Sequence, residues 1–224
     1  MKTVAIIPAY NEERTIHSVV RSVLSQVDEV IVVDDGSVDR TVYKAQHEQV
    51  VVVSHPVNCG LGASIATGFI LARERNADFA VTIDADGQLF ASDIRTVLTP
   101  LMNGECDVVI GSRFLTTRSS IPLLRKFYNS IGNFVTFLLF GIHATDSQSG
   151  IRAFNRSGLF FIELRCARME VSSEFFGEIK AKNLRWREVP IHVQYTAYSL
   201  SKGQGLRRGI VTAFRLIIRR MYRL

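Results

Sequence analysis

The sequence predicts an α/β domain with a mostly parallel central sheet flanked by helices, and two observations carry that prediction. Short apolar, β-branched runs, Val30 to Val33 and Phe79 to Ile83, stop abruptly at Asp34-Asp35-Gly36-Ser37 and Asp84-Ala85-Asp86. Runs of that length without alternation suit strands buried on both faces, as in parallel sheets. Strand and helix signals also alternate along the first half without an internal repeat, the order expected of βαβ units. Open α/β sheets bind ligands outside the carboxyl ends of their strands. The two carboxylate clusters therefore mark the expected site.

The elements follow in order. Val4 to Ile7 is the first strand, and Glu12 to Gln26 the first helix, with Ile16, Val19, Val20, Val23 and Leu24 on one face. Glu29 to Val33 is a strand, Asp39 to Glu48 a helix, Val50 to Ser54 a strand, Gly60 to Arg75 a helix and Phe79 to Ile83 a strand. Ser92 to Met102 reads as a helix capped by Ser92, followed by a strand from Asp107 to Ile110. Beyond Arg113 the regularity changes to a polar loop near Thr116 to Ser120, an apolar stretch from Phe127 to Ile142, and a last strand around Trp186 to Val193. The expected division is a nucleotide-binding half at 1–113 and an acceptor half at 114–205, which includes an interfacial helix at 122–142. A separate C-terminal helix is expected at 206–224.

Composition narrows the function. A chain of 224 residues with 47% hydrophobic content can bury one core. Cys59, Cys106 and Cys166 are odd in number and far apart, so their spacing indicates neither a disulfide framework nor a zinc site. Met1-Lys2-Thr3 runs straight into a strand without a charged-then-apolar leader, so a cytosolic location is expected. The net charge of +6 calls for an anionic partner. Nucleic acid is the weakest choice, because a basic-aromatic stripe is absent outside the last helix, and no Gly-Lys-Ser/Thr phosphate loop is present.

Single motifs have two readings each. Asp84-x-Asp86 after a strand supplies hard oxygen ligands for Mg2+ or Mn2+, or caps the next helix. Glu12 stands where a helix begins and can cap it. Asp39 suits an N-cap beside Thr41. Gly60 and Gly62 precede a helix, where bare backbone permits close approach of an anion such as a diphosphate.

Taken in order, Pro8-Ala9-Tyr10-Asn11-Glu12, Asp34-Asp35-Gly36-Ser37-Val38-Asp39-Arg40-Thr41, Asn58-Cys59-Gly60-Leu61-Gly62, Asp84-Ala85-Asp86-Gly87-Gln88, Gly111-Ser112-Arg113 and Asp146-Ser147-Gln148-Ser149-Gly150-Ile151-Arg152 resemble one family. It is the family 2 glycosyltransferases of GT-A fold, in the branch of dolichol-phosphate mannosyltransferases and other polyprenyl-phosphate glycosyltransferases. The likeness covers roughly residues 3–205. It implies a metal-dependent, inverting transfer from a UDP- or GDP-sugar donor to a polyprenyl phosphate at the cytosolic membrane face.

The resemblance places Pro8, Ala9, Tyr10 and Glu12 around the nucleoside, Asp35 on the base, Gly60 and Gly62 near the diphosphate, and Asp84 on ribose or sugar. Asp86, with Gln88, is implied to hold Mg2+ or Mn2+. Asp86, Arg113 and Asp146 are the expected catalytic residues. Arg113, Lys126, Ser130, Arg152 and Lys202 are the expected contacts of the acceptor phosphate. A phosphate monoester is largely ionised near neutral pH, its second pKa being about 6, so it needs cations rather than a base. A hydroxyl acceptor would instead need Asp146 or Glu174 as base. Mannosyltransferases of the branch carry an Arg a few residues before Gly-x-Ser-Lys, whereas Thr196 stands at that place here. The resemblance therefore leaves the donor sugar open.

The alternatives are a glycosyltransferase with a saccharide or soluble acceptor, and a nucleotide-binding module without transfer activity. The stretch at 127–142 is broken by Asn129, Ser130, Asn133 and Thr136 and is short for a span, which favours an interfacial helix. Leu206 to Leu224 pairs an apolar face with six arginines and no acid, which suits an anionic membrane surface. Packing on the domain or on a separate membrane protein is the other role for that helix.

Overall fold

A computed structural model describes residues 1–47, 49–116 and 121–195. Lys202, Thr196 and the helix expected at 206–224 lie outside the described residues. The elements are β1 (Thr3–Ala9), α1 (Ile16–Leu24), β2 (Glu29–Asp34), α2 (Thr41–Ala45), β3 (Val50–Ser54), α3 (Leu61–Glu74) and β4 (Phe79–Thr82). They continue with α4 (Asp93–Met102), β5 (Val108–Ser112), α5 (Leu123–Phe140), β6 (Arg152–Asn155), α6 (Arg156–Phe161), α7 (Val171–Ala181) and β7 (Trp186–Pro190).

The seven strands lie in the order β3-β2-β1-β4-β6-β5-β7. β1 pairs in parallel with both β2 and β4, so the chain leaves on one side of β1 and returns on the other. That reversal is the switch point at which a crevice opens between adjacent strand ends. β6 runs antiparallel to β4 and β5. Its beginning, after Gly150 and Ile151, therefore reaches the same sheet edge as the ends of β1, β2, β4 and β5. β7 pairs in parallel with β5.

Strand periodicity sorts the core into two layers. Ala5, Ile7, Val30 and Val32 face a cluster with Ile16, Val20, Val23, Ile94 and Val97 from α1 and α4. Val4, Ile6, Ile31 and Val33 face the opposite cluster, with Ile65 and Phe69 of α3 and Phe175 and Phe176 of α7. Residues i and i+2 share a face, so four-residue apolar runs feed both layers.

Several boundaries differ from expectation. Asn11 takes φ +55°, and the N–H groups of Thr15 and Ile16 bond to the Glu12 carbonyl, so residues 12–15 form a turn and α1 begins at Ile16. Ser92 stands before α4 without a capping bond from its side chain. Arg40 holds the N-cap position of α2, and Asp39, two residues before the helix, accepts from the Thr41 N–H at 2.9 Å. The last strand stops at Pro190, which has no N–H to continue a ladder, and Val193 makes only an isolated bridge to Leu89. β6, α6 and α7 were not expected.

Gly68 sets the distance between α3 and β1, because a Cβ there would lie 2.3 Å from Ile6 Cγ2. Overpacking of a filled core costs about 1–3 kcal/mol. Gly68→Ala should lower the free energy of urea unfolding by about that amount, although alanine is the better helix former.

Candidate active site

Two loops at the sheet edge are laced together by side-chain to backbone bonds. Asn11 N–H donates to Ser37 Oγ at 2.9 Å, Val38 N–H to Asn11 Oδ1 at 3.0 Å, and Glu12 N–H to Thr41 Oγ1 at 2.7 Å. These bonds give the Pro8–Glu12 and Asp34–Thr41 motifs a structural purpose: each loop supplies the partners the other's backbone lacks. Pro8 and Ala9 close β1, and Tyr10 projects into solvent beyond them.

Against this edge three carboxylates converge. Glu12 is buried and accepts from Thr15 Oγ1 at 3.1 Å. The first turn of α1 is thus closed by the Glu12 carbonyl. Asp84 lies so close to Gly150 that a Cβ there would meet Asp84 Oδ2 at 1.9 Å. Burial first, and then the charge of Asp86, push the Asp84 carboxyl up from 3.8 to about 6, against the pull of Arg152 and Arg113. Asp86 is also raised, by burial first and by Glu12, while bonds from Gln88 work the other way. Gln88 donates its backbone N–H to Asp86 Oδ1 at 3.0 Å and its side-chain amide to Oδ2. Gln88, the expected further metal ligand, thus also orients Asp86 by donating to it. Oxygen donors and mutual repulsion make the pair Asp84 and Asp86 fit a hard divalent cation.

The second half of the chain is organised around Asp146, whose buried carboxylate forms a fork with Arg113. Arg113 Nε to Oδ2 and Nη2 to Oδ1 are both 2.7 Å, and the Arg113 backbone N–H adds 3.0 Å to Oδ2. Burial alone would lower the Arg113 pKa, and Asp146 more than offsets it. The Asp146 carboxylate, expected to serve as base only for a hydroxyl acceptor, is engaged here as the anchor of Arg113. Glu174 is committed likewise, accepting from the backbone N–H groups of Arg165 and Cys166.

Arg152 is 1% exposed. Its Nη2 donates to the Ser147 carbonyl, it stacks on Phe175 at 4.7 Å, and its Nε has no partner among the described residues. Burial lowers its pKa to about 10. It acts from beneath Asp84 rather than touching an acceptor phosphate. Lys126 and Ser130 are exposed on α5, and the Ser130 hydroxyl bonds back to the Lys126 carbonyl.

Asp35 accepts from Cys59 N–H at 2.8 Å, Gly60 N–H at 2.7 Å and His55 Nδ1 at 2.9 Å. The glycines have a packing reason not foreseen. A Cβ on Gly62 would lie 1.8 Å from the Cys166 carbonyl oxygen, and one on Gly60 2.6 Å from that of Ala167. Gly60 also takes φ +103°. Segment 166–168 packs directly against these two glycines, and the Ala63 N–H is bonded to the Ala167 carbonyl.

Sequence reasoning missed Glu188, Asn129, Asn133 and Gly150. Glu188 of β7 accepts from the N–H groups of Thr145 and Asp146, at 2.9 and 3.0 Å. Asn133 Oδ1 accepts from Ser147 N–H at 2.9 Å, and Asn129 Oδ1 lies 3.5 Å from Arg113 Nη2. The polar interruptions of the apolar stretch at 127–142 were the available signal. Asn129 and Thr136 are the buried residues of α5, while Leu123, Phe134 and Leu138 are 82%, 63% and 65% exposed. α5 is an amphipathic helix turned inside out.

A family profile described as glycosyl transferase family 2 matches residues 4–160. The chain belongs to glycosyl transferase family 2. It is similar to UDP-N-acetylglucosamine–dolichyl-phosphate N-acetylglucosaminyltransferase of Methanococcus voltae, with 39% identity over 96% of this chain and 95% of that protein. It is also similar to undecaprenyl-phosphate mannosyltransferase of Micrococcus luteus, at 31% identity over 73% of this chain and 70% of the relative. Among solved structures, glucosyl-3-phosphoglycerate synthase of Mycobacterium tuberculosis in complex with Mn2+, UDP and glucosyl-3-phosphoglycerate superposes with a TM-score of 0.76. The identity is 22%, over 96% of this chain and 77% of that one. That likeness establishes the GT-A fold of this glycosyltransferase.

The raised Asp84 pKa fixes a pH dependence. The folded enzyme holds that proton more tightly than the unfolded chain, so the contribution to stability is full below the unfolded value near 3.8 and is lost as pH rises through about 6. Without divalent ions at pH 7.5, Asp84→Asn should therefore be more stable than the wild type by on the order of 1–3 kcal/mol. The advantage should vanish toward pH 4 in thermal melts.

Proposed function

We propose that this glycosyltransferase moves a sugar, with inversion, from a nucleotide-sugar donor to a polyprenyl phosphate at the cytosolic membrane face. The observation that carries this reading is α5. Its buried polar residue Asn129 contacts Arg113, and its exposed stripe of Leu123, Leu124, Phe127, Ile131, Phe134 and Leu138 leads away along the surface. A cationic group at the end of an uncovered apolar track matches a phosphate carried on a hydrocarbon chain. The names of the similar proteins, which act on dolichyl and undecaprenyl phosphate, support the same acceptor class. The relative from Methanococcus voltae favours a UDP-sugar as donor.

Pro8, Ala9, Tyr10, Glu12 and Asp35 line the strand ends where the nucleoside is proposed to bind. Gly60 and Gly62 serve the donor indirectly, by letting segment 166–168 pack against the start of α3. Asp86, oriented by Gln88, and Asp84 would hold Mg2+ or Mn2+. The cation supplies charge stabilisation to the departing nucleoside diphosphate. Asp84 faces the donor sugar and is kept ionised by Arg152 beneath it. Arg113, rigid in the fork of Asp146, presents its remaining N–H groups to the acceptor phosphate. That phosphate brings its own negative charge, so neither Asp146 nor Glu174 has to be released to take a proton. Lys126 and Lys202 are proposed as further cations for the headgroup, and the helix at 206–224 as a second attachment to an anionic surface.

Incubation with a panel of UDP- and GDP-sugars, Mg2+ or Mn2+ and a short-chain polyprenyl phosphate tests the reading. Label should appear in the lipid phosphate fraction. Transfer only to a saccharide hydroxyl would overturn it. Asp86→Asn should lower turnover by about two orders of magnitude or more without a change in melting temperature, because the amide keeps the shape and loses the charge. Wild-type rates in that variant would remove Asp86 from the metal site.

The exposed stripe can be tested separately. Phe134→Glu with Leu138→Glu should markedly reduce flotation with vesicles while leaving stability unchanged, since both side chains already face water. Undiminished flotation would assign α5 to another surface.

A further inference from the structure

Among the described residues, Asp35, His55 and Cys59 form a cluster of three different ligating side chains whose donor atoms lie within 4.8 Å of one another. Cys59 is the partly exposed member of the three free cysteines, while Cys106 and Cys166 are buried. Sequence spacing did not point here. The fold assembles the cluster from the end of β2, the residue after β3 and the loop before α3.

We propose that Asp35, His55 and Cys59 bind a thiolate-selecting d-block cation, Zn2+ by preference, at a site separate from the Mg2+ or Mn2+ site of Asp86. The ligands are set up for it. His55 Nε2 is 3.0 Å from Thr67 Oγ1 of α3, a partner that fixes the ring and leaves Nδ1 as the ligating nitrogen. That Nδ1 is 2.9 Å from Asp35 Oδ1, a hydrogen-bond spacing that has to open by only about 0.5 Å to seat two tetrahedral ligands about 2.0–2.2 Å from one zinc ion. The N–H groups of Cys59 and Gly60 hold the Asp35 carboxylate from behind. Cys59 Sγ makes only a 3.4 Å contact to the Val57 carbonyl, and turning about χ1 brings it toward the other two. Binding releases the thiol proton to solvent and leaves a site of balanced charge, one carboxylate and one thiolate on a dication.

Three protein ligands leave one coordination position open to water. Softness separates the two sites, since thiolate and imidazole favour zinc whereas Mg2+ and Mn2+ prefer oxygen. The consequence for catalysis rests on the reading of Asp35 as the group that contacts the donor base. Zinc on Asp35 then opposes donor binding and leaves Asp86 untouched.

Co2+ titration of the full chain, with Mg2+ in excess, tests the site directly. One equivalent should produce a near-ultraviolet thiolate-to-cobalt charge-transfer band and tetrahedral visible bands, which Zn2+ displaces. Cys59→Ser should lose the near-ultraviolet band and weaken Zn2+ binding by about 10–100-fold. Zn2+ should also slow alkylation of Cys59 in the wild type. A missing band, or a band that survives in Cys59→Ser, overturns the proposal. In the Mg2+-supported transfer assay, Zn2+ should raise the donor KM of the wild type with kcat unchanged, and should leave Cys59→Ser unaffected. If the cobalt band forms while the donor KM stays constant, the zinc site stands and the assignment of Asp35 to the base falls.

Discussion

The buried carboxylate of Asp146 is the joint on which the second half of the fold depends. It takes three bonds from Arg113 at the end of β5, and its own N–H is held by Glu188 of β7. The neighbouring Ser147 N–H is fixed by Asn133 of α5. Strand, loop and helix are thus tied through one ionic fork. Such a pair adds little net stability, because desolvating both ions offsets most of their attraction, yet removing either partner strands a buried charge at about 3–5 kcal/mol. What the fork supplies is geometry: Arg113 is held in one orientation, facing a crevice it does not have to be ordered to serve.

The crevice carries its charges in alternation. Glu12, Asp84 and Asp86 repel one another, and burial raises the pKa of the two aspartates. Arg152 and Arg113 counter that from below and from the side. A site made this way is charge-starved when empty. A dication with a nucleoside diphosphate relieves it, since the cation answers the aspartates and the diphosphate answers the cation. Gly150 completes the arrangement by letting the Asp84 carboxylate lie against backbone, where any Cβ would displace it.

The first half of the fold was legible because its strands are apolar on both faces and end in unmistakable polar residues. Val50–Ser54 of β3 agrees with expectation to the residue. The second half hid its elements for physical reasons. β6 is four residues long and opens with Arg152, an arginine that reads as surface in a sequence and is buried in the fold. α7 places Ser172 and Ser173 inside, one of them bonded to Thr136, so its periodicity is blurred. The motif residues reached one sheet edge as expected, but several of their partners did not show. The roles of Gly60 and Gly62 follow from segment 166–168, about a hundred positions away, and no local pattern announces such an approach.

α5 explains why a stretch can look like core and behave otherwise. A helix on the surface of a soluble domain turns its apolar stripe inward. Here Asn129, Asn133 and Thr136 face the protein and satisfy loop 145–147 and α7, which forces the apolar residues to the outside. The inversion has a cost in water. Exposed Leu123, Leu124, Phe127, Ile131, Phe134, Phe137 and Leu138 forgo on the order of 5–10 kcal/mol of burial, at roughly 25 cal/mol per Å² of apolar surface. A fold tolerates that only where the alternative is worse, and turning the helix over would leave Thr145 and Ser147 without the asparagines that position them. The polar needs of the catalytic loop therefore dictate the outward apolar face. The side of α5 that orders loop 145–147 and the exposed apolar stripe are thus two faces of one helix, and the acceptor proposed above, a phosphate on a hydrocarbon chain, would meet both along that single element.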